Sequence, residues 1–140
     1  MKLVQNNRIY FDFIRSLRLH PENISGFLDQ RIFSQESHLA YMNHSGNRYF
    51  ICLDNANLPV GYIGDVDSDI RLAVNPENKG KGIGRFMLEE FIRLNPFSSM
   101  VFFSKVLVEN IPSQRLFEGL NFKKVKTENS LIYYEYHPFQ

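Results

Sequence analysis

Cysteine is almost missing from this chain of 140 residues: Cys52 stands alone, so no internal disulfide can form and a reducing compartment is expected. Within Tyr49-Phe50-Ile51-Cys52-Leu53 that thiol reads as a packing residue and not as a nucleophile. The four histidines are scattered, and no Cys/His spacing suggests a metal. No apolar run approaches the roughly 20 residues that cross a bilayer. Met1-Lys2-Leu3-Val4-Gln5-Asn6-Asn7 lacks the apolar core and cleavage site of a signal peptide, so no membrane partner and a cytoplasmic location are expected. Charge of one sign is not in excess either. Sixteen Lys and Arg against fifteen Asp and Glu leave a net +1, too little to neutralise a nucleic-acid backbone, and no nucleic-acid partner is expected.

Hydrophobic residues are plentiful, at 44%, with thirteen Phe and seven Tyr, which is enough for a packed core at this length. No repeat, linker or low-complexity stretch interrupts the chain, so one domain over residues 1–140 is expected. Apolar spacing predicts a first helix from Arg8 to Leu19, stopped by His20-Pro21. Ser34 can cap a second helix that stops near Ser45-Gly46. Arg48–Leu53 and Pro59–Gly64, joined by a polar turn, read as a hairpin, and Ile70–Val74 continues the sheet. A helix over 83–94 carries Gly84, Met87, Leu88 and Phe91 on one stripe. The run from Met100 to Val108 predicts a strand buried on both faces, and Pro112 favours a short helix to about Leu120. Residues 122–126 and 131–136 close the sheet as two strands.

Between the strand at 70–74 and the helix at 83–94 lies Lys79-Gly80-Lys81-Gly82-Ile83-Gly84. A strand that ends in a glycine-rich turn and opens into a helix aims unpaired backbone N–H groups and the positive end of the helix dipole at one point, which suits a phosphate. Lys79, Lys81 and Arg85 add charge. Gly80-Lys81 is followed by Gly82, not by the Ser or Thr of a Walker A loop. The glycine spacing also differs from the dinucleotide fingerprint.

This segment resembles the acyl-CoA motif of the Gcn5-related N-acetyltransferase family: Arg or Gln, two residues, Gly, one residue, Gly or Ala. Lys79 takes the first position, Gly82 and Gly84 match, and Leu72 and Val74 stand where the family's strand reads Leu-x-Val. Downstream, Asn110, Ser113, Phe117 and the Asn121-Phe122 pair are similar to the family's second motif. The resemblance covers residues from about 58 to the C-terminus. It implies an α/β acyltransferase fold with a central mixed, mostly antiparallel sheet flanked by helices, and acetyl-CoA as co-substrate without a metal. By the same resemblance residues 79–85 would hold the pyrophosphate, Leu72, Ala73 and Val74 would pair with the pantetheine arm, and Asn110, Ser113 and Phe117 would line it.

In many members the aromatic at Phe117 is a tyrosine that protonates the departing thiolate. Phenylalanine has no proton to give, so water or the phenol of Tyr133, Tyr134 or Tyr136 becomes the candidate acid. The acceptor must attack as a neutral amine. Asp65, Asp67, Asp69 and Glu109 are candidate bases, with Asp65 and Asp67 preferred because they follow Gly64 at a strand end. The N-terminal third is similar to acetyltransferases of the pseudaminic acid pathway, which act on a nucleotide-linked amino sugar. That similarity makes Arg18 and His38 candidate contacts to the acceptor; His20-Pro21 as a helix stop and His38 as a half-buried helix residue are the alternatives. A small-molecule amine is therefore the expected acceptor, with a protein or peptide amine, or a silent acyl-CoA-binding module, as the other options. Exposed aromatics over Tyr133–Phe139 leave monomer and homodimer both open.

Overall fold

The computed structural model describes residues 1–140. Strands β1 (Lys2–Gln5), β2 (Tyr49–Leu53), β3 (Pro59–Asp65) and β4 (Ile70–Val74) form one antiparallel sheet in that order. Strands β5 (Phe102–Leu107), β6 (Lys123–Glu128) and β7 (Leu131–Tyr136) form a second, in the order β5-β7-β6. The helices are α1 (Phe11–Leu19), the short α2 (Pro21–Ile24), α3 (Gln35–Ser45), α4 (Ile83–Leu94) and α5 (Ile111–Gly119).

The two sheets meet at a fork. Ser104 Oγ donates to the Ile70 carbonyl at 3.0 Å, and the Lys105 N–H donates to the Asp69 carboxylate at 2.9 Å. Farther along, Val74 and Asn110 line one groove from opposite sides. β4 and β5 therefore run in the same direction, touch near their starts and part toward their ends. This one parallel neighbour makes an otherwise antiparallel architecture mixed.

Sequence alternation explains why β2 is central. Tyr49, Ile51 and Leu53 point into a core with Ile14, Leu17 and Met42 of α1 and α3, while Phe50 and Cys52 point into a second core with Met87, Leu88 and Phe91 of α4. Both faces are covered, so all five residues of the strand are buried. Burial pushes the Cys52 thiol up to about 11, as befits a packing residue.

The cap expected at Ser34 is observed, whereas α1 starts at Phe11, after a 3-10 turn over Arg8–Tyr10, and the short α2 is unexpected. The Ser34 hydroxyl accepts the Ser37 N–H at 3.1 Å and caps α3, and His20 Nδ1 accepts the Glu22 N–H at 3.1 Å, so His20 ends α1 and caps α2. β5 differs from expectation: Phe102, Ser104 and Val106 are buried, but Phe103 is 39% exposed. That strand is covered on one face only.

Gly64 marks the tightest packing near the site. A Cβ there would lie 2.6 Å from the Tyr49 ring, which is itself buried, edge-on to Tyr62 at 5.7 Å and bonded through its hydroxyl to that of Tyr41 at 2.7 Å. Gly64→Ala is expected to destabilise by about 1–3 kcal/mol, read as a lower urea midpoint; an unchanged midpoint would mean that the tyrosine cluster yields freely.

Candidate active site

The glycine turn opens α4 as the sequence suggests. Gly80 and Gly82 sit at φ +80° and +76°, and nothing lies within 4 Å of where their Cβ atoms would be, so the space above the turn is open. The N–H groups of residues 80–85 have no acceptor in the chain; the first bond into the helix is Phe86 N–H to Gly82 O. This is a row of donors at a helix start with room for an anion. Lys79 Nζ reaches the Glu22 carbonyl at 3.4 Å, Lys81 is exposed, and Arg85 is held by Glu89 at 2.8 Å.

A groove of about 640 Å³ runs from this turn along the free edge of β4 to α5, where it reaches Asn110 and Ser113. The β3–β4 register, with Asn75 N–H bonded to Val60 O, directs the backbone groups of Ala73 into the ladder with Tyr62. Leu72 and Val74 thus present backbone groups to the groove, whereas Ala73, expected to do the same, does not. The Val74 carbonyl already accepts Asn23 Nδ2 at 3.3 Å. Gly84 lets α4 approach β4 and α5: its Cβ would lie 3.7 Å from Leu116 and 3.8 Å from Leu72. Asn110 caps α5, its Oδ1 accepting the Ser113 N–H at 3.2 Å, and its Nδ2 donates to the Gly26 carbonyl at 3.3 Å. The segment after α2 is thereby pinned over the groove.

At the fork the groove adjoins a cavity of about 180 Å³, and Leu72, Gly26, Phe27, Asn110 and Ser113 line both. Asp69 is the buried carboxylate of this cavity. Burial holds its carboxyl above the usual range, opposed by the Lys105 N–H and by Arg71, which lies 3.5 Å away. The two preferred carboxylates lie elsewhere. Asp65 is buried at the end of β3 and does not line the cavity, although burial raises its carboxyl as well. Asp67 is exposed, because Asp67 and Ser68, at φ +53° and +56°, make a two-residue hairpin turn that carries them into solvent. Glu109 lines the groove and not the cavity.

Phe117 is buried and lines the cavity. None of the three tyrosines proposed to replace its missing hydroxyl lines the cavity: Tyr134 stacks on Phe117 at 6.0 Å but its hydroxyl donates to Glu118 at 2.6 Å, Tyr133 lies under Lys126, and Tyr136 stacks on Phe122. A tyrosine that the sequence did not single out, Tyr62 on β3, lines the cavity with Phe117 and Asp69. Burial keeps its phenol protonated far above its ordinary range.

Arg18 lines the cavity, its guanidinium 4.6 Å from the Phe33 ring centre and 5.5 Å from that of Tyr41. His38 does not. It is buried, its Nε2–H donates to the Phe11 carbonyl at 2.8 Å, and its ring stacks on Phe33 at 5.5 Å. Burial holds its imidazole below the ordinary value, so it is neutral, and it backs the aromatic that carries Arg18. His38 is thus a packed helix residue, buried more deeply than the half-buried alternative expected.

Residues 11–122 match the family model described as the acetyltransferase (GNAT) family. No curated protein sequence matches significantly. Among solved structures, a domain from Methanocaldococcus jannaschii is similar at 23% identity, with 97% of each chain covered and a TM-score of 0.85. A Salmonella typhimurium protein solved with acetyl-CoA is similar at 17% identity, covering 100% of this chain and 95% of that one, with a TM-score of 0.78. Spermidine N-acetyltransferase from Vibrio cholerae, solved with CoA and spermine, is similar at 16% identity, 98% and 95% coverage, and a TM-score of 0.82. At these identities the likeness bears on fold. No helix is long and apolar enough to cross a membrane, and no cluster of His, Cys, Asp or Glu could hold a metal ion.

Proposed function

We propose that this chain, which belongs to the acetyltransferase (GNAT) family, uses residues 1–140 as one acyltransferase unit to acetylate the primary amine of a small molecule by direct attack. A nucleotide-linked amino sugar is the candidate acceptor that the N-terminal third suggests. A cytoplasmic location, as monomer or homodimer, goes with this reading. The observation that carries it is the continuity of groove and cavity: unpaired amides over 80–85 at one end, Asp69 and Tyr62 at the other, and the fork between them.

Acetyl-CoA supplies the activated acetyl group, and this chain's residues orient and move protons. Amides over 80–85 meet the pyrophosphate, and the outward backbone groups of Leu72 and Val74 meet the pantetheine arm, with Asn23 as the competitor for the Val74 carbonyl. Asp69 is the base: the amine nitrogen forms a bond to the acetyl carbon and gives up its proton to the Asp69 carboxylate. A carboxyl raised by burial is better matched to an ammonium near neutrality than an exposed one. As the carbon–sulfur bond breaks, Tyr62, held protonated by burial, donates a hydrogen bond to the departing thiolate in place of the hydroxyl absent at Phe117, and the thiolate leaves as the anion and takes its proton from solvent.

Tyr62→Phe is expected to lower kcat by about 10²-fold, the usual worth of one hydrogen-bond donor to developing negative charge, while KM for acetyl-CoA stays within about twofold. Adding Phe117→Tyr should recover much of the loss. Thiol release from acetyl-CoA, measured over a panel of amines, tests the function and both variants together. Amine-dependent release supports the reading, whereas acetyl-CoA binding without release for any amine would reduce the chain to a binding module.

A further inference from the structure

The cavity at the fork is unevenly charged. Arg18, Arg71 and Lys105 line it, together with Asp29 and Asp69. Asp69 is committed to Arg71, and Asp29 to Arg31 at 2.8 Å. Arg18 and Lys105 are left with no carboxylate in ion-pair range, in a half-buried setting where an unpaired cation is costly. Arg18 is also held in place, between the rings of Phe33 and Tyr41. Such a planar fork, fixed in advance, suits the two oxygens of an oxyanion.

We propose that the acceptor of this enzyme carries a carboxylate or phosphate beside its amine, and that Arg18 and Lys105 hold this anion while the amine faces Asp69. The proposal rests on reading the cavity as the acceptor site. It makes the cavity select against polyamines, because a polycation would add charge to two unpaired cations and leave them unmatched. It also gives the aromatic support of Arg18 a purpose, since Phe33, backed by His38, fixes the guanidinium at low entropic cost when the acceptor binds.

The test compares matched acceptors by thiol release: glucosamine 6-phosphate with glucosamine, glycine with glycinamide, a nucleotide-linked amino sugar, and spermidine. The wild type is expected to favour an anionic member over its neutral partner by about 10–100-fold in kcat/KM, the range of one or two charge-assisted contacts. Arg18→Gln should collapse that ratio, and Lys105→Gln should reduce it. Acetyl-CoA affinity in each variant reports that the groove is intact. Preference for the phosphate or for the carboxylate distinguishes the two sources of the anion, and either supports the proposal. Amine-dependent release that favours neutral amines or spermidine would overturn the proposal and leave the acetyltransferase reading standing. No release with any acceptor would overturn both.

Discussion

Gly82→Glu is expected to lower affinity for acetyl-CoA by about 10²–10⁴-fold, equivalent to losing two hydrogen bonds to a charged group. Gly82 caps α4 in the left-handed region, and the position of its missing Cβ opens onto the space above the free amides. A glutamate there fills that space and sets a carboxylate where a pyrophosphate would sit. Strain is a separate matter: any L-residue at φ +76° costs about 1–2 kcal/mol, so Gly82→Ala carries the same penalty without the charge or the bulk. Calorimetric titration of acetyl-CoA into both variants separates the two effects. Tight binding to Gly82→Glu would remove the turn from the site.

Asp69→Asn should cut kcat by about 10²–10⁴-fold, the usual worth of a positioned base, with acetyl-CoA affinity retained. The amide oxygen can still accept the Lys105 N–H, so the geometry of the fork is kept. In the wild type, kcat/KM should rise with pH through the raised Asp69 pKa, because only the ionised form accepts a proton. Stability moves the other way. A carboxyl whose folded pKa is raised binds protons more tightly in the native state, so stability is greatest below the ordinary carboxylate value of about 3.8 and falls as pH rises through the folded value. Asp69→Asn escapes that cost and should melt higher than wild type at pH 7 while losing turnover, a trade common at catalytic groups. Thermal melts at pH 4 and pH 7 beside the pH–rate profile would show it. A variant that loses stability and keeps turnover would assign Asp69 a purely structural role.

Local signals made much of this fold legible. α3 begins after Ser34 and α4 spans 83–94 because caps and breakers act within a few residues. Asn121, at φ +71°, adopts before Phe122 the conformation for which the family motif uses glycine. What escaped depends on partners distant in sequence. β1 has only four residues and is defined by pairing with β2. The fork between β4 and β5 follows from how two sheets splay, and no spacing along the chain encodes it. Which of Asp65, Asp67 and Asp69 lines the cavity depends on one tight turn: two left-handed residues carry Asp67 into solvent and return Asp69 to the cavity. An Asp-Ser pair between two strands was a signal for that turn. Tyr62 was hidden for a related reason, since its place in the cavity comes from lying opposite Ala73 on β4, near the strand's free edge.

The most direct test of the account is a crystal structure of the protein with CoA. The pyrophosphate is expected within hydrogen-bond distance of the amides of residues 80–85, the pantetheine arm between β4 and α5, and the thiol at the fork, facing the cavity of Asp69 and Tyr62. CoA bound away from the glycine turn, or with its thiol directed away from that cavity, would contradict it.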